Sequence, residues 1–157
     1  MAMARKGRFA EAVQRNKRIK KLLRLRETGV FAVDTSRYIK ELETLHSSRL
    51  FRAWETKDVL SSAQKHIVKG VMQNSAYRSN AVTIKMHCFR VSKLLDKQIE
   101  AASSYLSSRY SELLRSEYST IKEREKAVEL VLEDFSKLRA DLDAVVKLAD
   151  ILISSGS

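Results

Sequence analysis

The chain has 157 residues, enough for one domain with a real apolar core, and 44% of them are hydrophobic. It has no proline and four glycines, so it lacks the turn residues of a many-stranded protein and is rich in helix formers. Its single cysteine, Cys88, excludes an internal disulfide, and no apolar stretch approaches the roughly 20 residues that cross a bilayer. We therefore expect an all-α protein without a membrane-spanning segment.

The net charge of +11 is concentrated at the N-terminus. Residues 1–26 carry ten Lys or Arg and one acid, Glu11, a balance of +9. Residues 27–116 carry fourteen basic and nine acidic groups, a balance of +5, whereas residues 117–157 carry six and nine, a balance of −3. A polyanion would therefore be attracted to the N-terminal segment.

The first predicted helix carries a narrow apolar stripe, and its other faces are cationic. The stripe consists of Phe9, Ala12, Val13, Ile19, Leu22 and Leu23. Gly29 suits the left-handed position after a helix end, so we expect one helix to stop there. We expect residues 1–29 to form a basic arm, and residues 30–157 to form a helical bundle that could bury its own core without this arm.

A second helix is predicted after the cap candidates Asp34, Thr35 and Ser36. Its apolar face would be Ile39, Leu42, His46, Leu50 and Ala53. The run from Leu60 to Val71 either continues this helix or belongs to a new one capped by Thr56, and the sequence leaves both possibilities open.

Two long helices complete the predicted bundle. A break at Gln73–Ser75 precedes apolar residues at helical spacing from Tyr77 to Leu113, a helix of roughly 35 residues that the serines at 103–111 could bend or break. Thr120 and Glu123 have capping-box spacing and start the last helix. Its seam alternates steps of three and four: Val128, Val131, Phe135, Leu138, Leu142, Val145, Ala149 and Leu152. We expect an antiparallel hairpin, with the second helix packed against it.

The sequence contains no pattern typical of an enzyme or a metal site. It has no glycine-rich phosphate loop, G-x-S-x-G or H-E-x-x-H motif. The potential soft metal ligands, His46, His66, His87 and Cys88, lack ligand spacing, and the acids Glu123, Glu125, Glu129, Glu133 and Asp134 flank the seam as a solvated surface would. We expect no catalytic activity, cofactor or metal.

The stretch RNKRIKKLLRLR, residues 15–26, contains no acid to neutralise its cations, so a bound polyanion would relieve their repulsion. Six of the ten N-terminal cations are arginines, which favours bidentate phosphate contacts, and few amides are present to read base edges. A membrane surface would require bulky apolar residues, and Phe9 is the single aromatic residue there. An organelle-targeting peptide would be serine-rich, but no serine precedes Ser36. The predicted phosphate ligands are Arg5, Lys6, Arg8, Arg15, Lys17, Arg18, Lys20, Lys21, Arg24 and Arg26.

A second basic stretch, RLFRAWETK around Trp54, adds Arg49 and Arg52 to the predicted nucleic-acid ligands. Phe51 and Trp54 also suit a core-facing stripe, so the sequence favours packing over base stacking for these aromatics.

In layout, the basic arm MAMARKGRFAEAVQRNKRIKKLLRLR followed by a helical bundle over residues 35–153 resembles the major capsid proteins of filamentous and rod-shaped archaeal viruses. This resemblance implies copies that assemble around double-stranded DNA in a virion or nucleoprotein complex. The aromatic residues and amphipathic helices also favour self-assembly, with identical copies or a related partner subunit. The alternative is a cytoplasmic, membrane-surface polymer similar to ESCRT-III proteins, although Gly29 and the Asp34–Ser36 cap interrupt the long first hairpin of that family.

Overall fold

The computed structural model describes residues 7–58 and 63–155, and the side chains of residues 7–46 and 78–154. In these ranges the chain forms seven α-helices and no strand, which confirms the all-α helical-bundle prediction. The helices are α1 (Arg8–Gln14), α2 (Lys17–Thr28), α3 (Thr35–Asp58), α4 (Ala63–Arg109), α5 (Ser111–Glu117), α6 (Ile121–Val131) and α7 (Glu133–Ser155). Contacts group the chain into two compact units, and α4 and α7 contribute residues to both.

The first unit contains the described residues of Met1–Val33 together with Val91–Ala140. Its core includes three residues of the expected arm, Phe9, Val13 and Ile19, which are buried. The Phe9 ring meets the Tyr110 ring edge to face, with centroids 5.7 Å apart, and α1 packs on α5. Half of the predicted apolar stripe is thus buried, whereas Ala12, Leu22 and Leu23 are half-buried. That residues 30–157 could bury a core without this segment remains a prediction.

The N-terminal segment forms two helices instead of the single helix predicted. The chain turns between α1 and α2, and the Asn16 side chain caps α2 by accepting a hydrogen bond from the Ile19 N–H at 3.1 Å. The helix α2 ends before Gly29, as predicted, but Gly29 has φ −105° and is not left-handed. A Cβ at Gly29 would lie 2.7 Å from Leu25 Cδ2, so close packing explains the glycine.

The second unit contains Asp34–Arg90 and Asp141–Ser157. Asp34 caps α3 by accepting a hydrogen bond from the Arg37 N–H at 3.2 Å, as the sequence predicted. The predicted stripe of α4 is buried at Ala81, Ile84 and Cys88, and Lys85 pairs with Asp150 of α7 at 2.5 Å. In this unit, α4 therefore packs against α7.

The structure contradicts one prediction for the long helices, the break at Gln73–Ser75, and answers one open question, whether Thr56 starts a new helix. Helix α4 runs through Gln73–Ser75 without a break and ends at Arg109, so it has 47 residues. Thr56 lies inside α3 and starts no helix, and the run from Ala63 onward belongs to α4. The side chains of Leu50, Ala53, Trp54 and Tyr77 lie outside the described residues, so their predicted packing remains a prediction.

The predicted C-terminal seam is largely confirmed. Thr120 accepts a hydrogen bond from the Glu123 N–H at 3.2 Å, and Glu123 reaches back to the Ser119 N–H at 3.3 Å. Seven of the eight seam residues are buried: Val128, Phe135, Leu138, Leu142, Val145, Ala149 and Leu152. Leu132 is buried at the α6–α7 junction and Val131 is not, because the helix is interrupted at Leu132 and the register shifts by one residue there.

Candidate nucleic-acid interface

Helix α2 presents four exposed cations on one face. Lys17, Lys20, Lys21 and Arg24 follow i, i+3, i+4, i+7 spacing and therefore lie along one side of the helix; we name them the cationic stripe. Residues 17 to 24 span about 10 Å at roughly 1.5 Å per residue. A duplex strand passes a phosphate about every 3.4 Å of its axis, so the stripe matches about three phosphates of one strand.

No described acid neutralises the cationic stripe. The ion pairs among the described residues include Lys85 with Asp150, Lys137 with Glu133 and Arg139 with Asp96, and none of these three involves α1 or α2. Glu27 follows the stripe on the same face of α2 and forms no ion pair with a described side chain. The stripe residues are therefore free of ion pairs with described acids, and their positive potential falls off over about 10 Å at 0.1 M salt.

The polar contacts that position α2 centre on Asn16. Its side-chain Nδ2 donates hydrogen bonds to the hydroxyl oxygens of Tyr105, at 2.9 Å, and Tyr110, at 2.8 Å. Its Oδ1 simultaneously caps α2. One side chain thus joins the start of the cationic helix to the end of α4 in the first unit, and the stripe stands on a packed helix.

Two predicted ligands have contacts of their own inside the first unit. The Arg18 guanidinium lies over the Tyr105 ring, 4.3 Å from its centroid, in a cation–π contact. Arg26 is half-buried, and its Nη1 donates to the carbonyl oxygen of Phe31 at 3.2 Å. Arg26 therefore helps to hold the segment that follows α2 and has less freedom to reach a phosphate than the stripe residues have.

The other predicted ligands are dispersed. Arg8 lies in the first turn of α1 and Arg15 lies between α1 and α2, and both are exposed. Arg5 and Lys6 lie outside the described residues, and Arg49 and Arg52 belong to α3 but their side chains are not described. The structure thus assembles four of the twelve predicted ligands into one face and leaves the roles of all twelve as predictions.

A groove of about 180 Å³ lies beside the stripe, between α2 and α4 in the first unit. Leu22, Leu25 and Ala101 contribute its apolar surface. Its polar lining comes from Arg18, Lys21, Gln98 and Tyr105, so Lys21 belongs to both the stripe and the groove. Sequence reasoning missed this groove and the Asn16 contacts, although an asparagine in a cationic run is a recognisable cap signal.

The position of Phe9 bears on the membrane alternative. Phe9 is buried against Tyr110 in the core of the first unit. Insertion of this side chain into lipid would therefore require α1 to detach from α5, and the membrane alternative remains a prediction. Among the described helices, none is long and apolar enough to cross a bilayer.

The described residues include no cluster of three potential metal ligands. Cys88 is buried in the core of the second unit, where burial raises the pKa of its thiol to about 11. A neutral, enclosed thiol is a packing group and a poor nucleophile.

Comparisons with models of protein families, with curated proteins and with solved structures give no match.

Proposed function

We propose that the protein is a structural nucleic-acid-packaging subunit that binds the phosphate backbone through α2 without reading sequence, and that copies assemble along the nucleic acid. The observation that carries the proposal is the cationic stripe, which places four exposed cations on one face of a packed helix. None of the four forms an ion pair with a described acid. Lys and Arg at this spacing neutralise phosphates and release condensed counterions.

Self-assembly is supported by large apolar side chains that remain exposed. On α6, Ile121 is 69% and Leu130 is 70% exposed, and on α4, Met86 and Phe89 are about half exposed. Exposed apolar groups on more than one helix favour contacts between copies, and phosphates bound to the stripe would offset the repulsion between chains of charge +11.

The experiment measures the salt dependence of binding to a mixed-sequence DNA duplex. The stripe variant changes Lys17, Lys20, Lys21 and Arg24 to Ala. We expect the slope of log K against log salt to decrease by up to about 2.7, since the stripe matches about three phosphates and each neutralised phosphate contributes roughly 0.9. A scrambled duplex should bind equally well, because phosphate contacts carry no sequence information.

The matched control removes four exposed cations of the first unit that lie on α5, α6 and α7: Arg115, Lys122, Lys126 and Lys137. It lowers the net charge equally, so a slope close to that of the unmodified protein would assign the effect to the stripe. Equal slopes for the two variants would contradict the proposed site. Light scattering should show particles larger than a monomer when DNA is added, and a monomer with and without DNA would contradict assembly.

A further inference from the structure

We propose that the groove between α2 and α4 receives an unpaired nucleobase of a strand whose phosphates lie on the cationic stripe. The proposal rests on the proposed function and names the form of nucleic acid that this face takes, namely single-stranded segments. Three features of the groove lining carry it. They are the planar guanidinium of Arg18, the apolar side chains of Leu22, Leu25 and Ala101, and the Gln98 amide, which can both donate and accept a hydrogen bond.

The planar cation is the guanidinium of Arg18. It lies over the Tyr105 ring at 4.3 Å, and the Tyr105 hydroxyl accepts a hydrogen bond from Asn16, so the ring that supports the guanidinium is itself held in place. Arg18 is an exposed residue that also lines the groove, so its guanidinium is accessible to a ligand there. Arginine planes stack on nucleobases as aromatic rings do, and one held in position loses less conformational entropy on binding.

The floor of the groove suits a flat apolar face better than a hydrated phosphate. Leu22 and Leu25 are half-buried there, and Ala101 of α4 lines the groove opposite them with a single methyl group. The small alanine leaves the space between the two helices open. A base that lies on these side chains would remove their apolar surface from water. The polar residues of the groove would still be available to bind the polar edge of the base.

The rim provides partners for the remaining groups of a nucleotide. Lys21 belongs to the cationic stripe and to the groove, so a phosphate bound there lies next to the base that enters. The Gln98 amide offers a donor and an acceptor to a base edge, and the described lining of the groove contains no acid. These groups complement the charge and the shape of a nucleotide.

A paired base cannot use this site without leaving its stack, which costs a few kcal/mol. The backbone contacts of α2 are open to both forms of nucleic acid, whereas the groove contributes only when a base is unpaired. We therefore infer that single strands bind more tightly than duplexes with the same number of phosphates.

The experiment compares two labelled single strands of about 10 nucleotides, oligothymidylate and an abasic oligodeoxyribonucleotide of equal length, by fluorescence anisotropy with the full chain. Both carry the same phosphates, so the affinity ratio isolates the base. We expect oligothymidylate to bind about tenfold more tightly, which is the order of one base stacked on an aromatic or arginine plane. The two strands should show similar salt slopes.

Two variants locate the effect. Arg18→Lys keeps the charge and removes the planar group, and Ala101→Leu fills the groove; each should reduce the tenfold ratio severalfold while the salt slope persists. Arg115→Lys, on the exposed side of α5, and Ala140→Leu, on an exposed position of α7, are matched controls that should retain the ratio. Thermal melting of each variant verifies that the protein is folded.

A ratio near one in the unmodified protein, or an unchanged ratio in either groove variant, would overturn the proposal. If both strands bind equally with a steep salt dependence, the groove fails as a base site and the backbone function stands. If neither strand nor a duplex binds, both proposals fail together.

Discussion

The carboxylate of Glu117 accepts a hydrogen bond from the backbone N–H of Phe9 at 2.9 Å, which joins the end of α5 to the first turn of α1. Gly7 lies against the same carboxylate, and a Cβ at this position would overlap the Glu117 Oε1. A negative charge at a helix N-terminus is favourable, and it satisfies one of the amides that lack a partner inside the helix.

Gly7→Ala should therefore displace the Glu117 side chain and break this hydrogen bond. The moved atoms are the flexible end of Glu117, so the overlap itself is relieved cheaply, and we expect a loss of about 1 kcal/mol in the free energy of unfolding. Urea denaturation measures the loss, and Glu117→Ala should cause a similar one. A double variant that loses no more than either single variant would confirm that both act on one contact, whereas additive losses would contradict it.

Asn16 should be more important for stability than a half-buried polar residue usually is. Asn16→Ala removes the cap of α2 and both tyrosine contacts, so we expect a loss of about 2 to 3 kcal/mol. Asn16→Asp retains an oxygen for the cap but removes the Nδ2 donor, so it should be less destabilising. Chemical denaturation of both variants compares the two contributions, and equal losses would show that the cap contributes nothing separate.

The buried seam predicts a contrast between two leucines of the first unit. Leu138 is 1% exposed and Leu130 is 70% exposed. Leu138→Ala should reduce the free energy of unfolding by about 2 to 5 kcal/mol, because it leaves a cavity in a packed core. Leu130→Ala should change it by less than about 0.5 kcal/mol. Thermal or urea unfolding tests the pair, and similar losses would mean that the seam has been assigned to the wrong face.

The Cys88 thiol predicts a pH dependence at the alkaline end. Burial raises its pKa from 9.0 to about 11, so below pH 9 the thiol is neutral in both the folded and the unfolded chain. As the pH rises from 9 toward 11, the unfolded thiol ionises and the folded thiol does not, so the folded state loses stability by at most about 1.4 kcal/mol per pH unit.

Urea unfolding at pH 8, 9 and 10 tests this dependence when the protein is compared with Cys88→Ala, which retains every lysine and lacks the thiol. As the pH rises, we expect the free energy of unfolding of the unmodified protein to fall relative to that of Cys88→Ala. A difference that is constant across this range would mean that the thiol ionises equally well in the folded chain.

The sequence predicted helices and buried faces well because burial follows periodicity. The spacing of Ala81, Ile84 and Cys88 and of the seam residues places them on one side of a helix, and these side chains are buried. Local breaks were less predictable. Gln73–Ser75 has the composition of a break but lies within α4, whereas the interruption at Leu132 has no glycine or proline to announce it. At both places the surrounding helices override local propensity.

The candidate site was only partly predictable for a related reason. A run of cations identifies Lys17, Lys20 and Arg24 as one face once a helix is assumed. The partners of Asn16 and Arg18 lie about 90 residues away, on Tyr105 and Tyr110, and no local pattern links them. Such long-range contacts arise from tertiary packing. The sequence alone therefore could not show that Arg18 lies over the Tyr105 ring while the neighbouring lysines of α2 remain exposed.

The burial of Phe9, Val13 and Ile19 has a thermodynamic consequence for nucleic-acid binding. Disordered basic tails fold when they bind, and calorimetry then shows a large negative heat-capacity change and an entropic cost of ordering. In this chain the cationic helix is already formed and anchored before any ligand arrives. Binding should therefore leave the far-ultraviolet circular dichroism unchanged, give a small heat-capacity change, and proceed as the docking of a rigid charged surface.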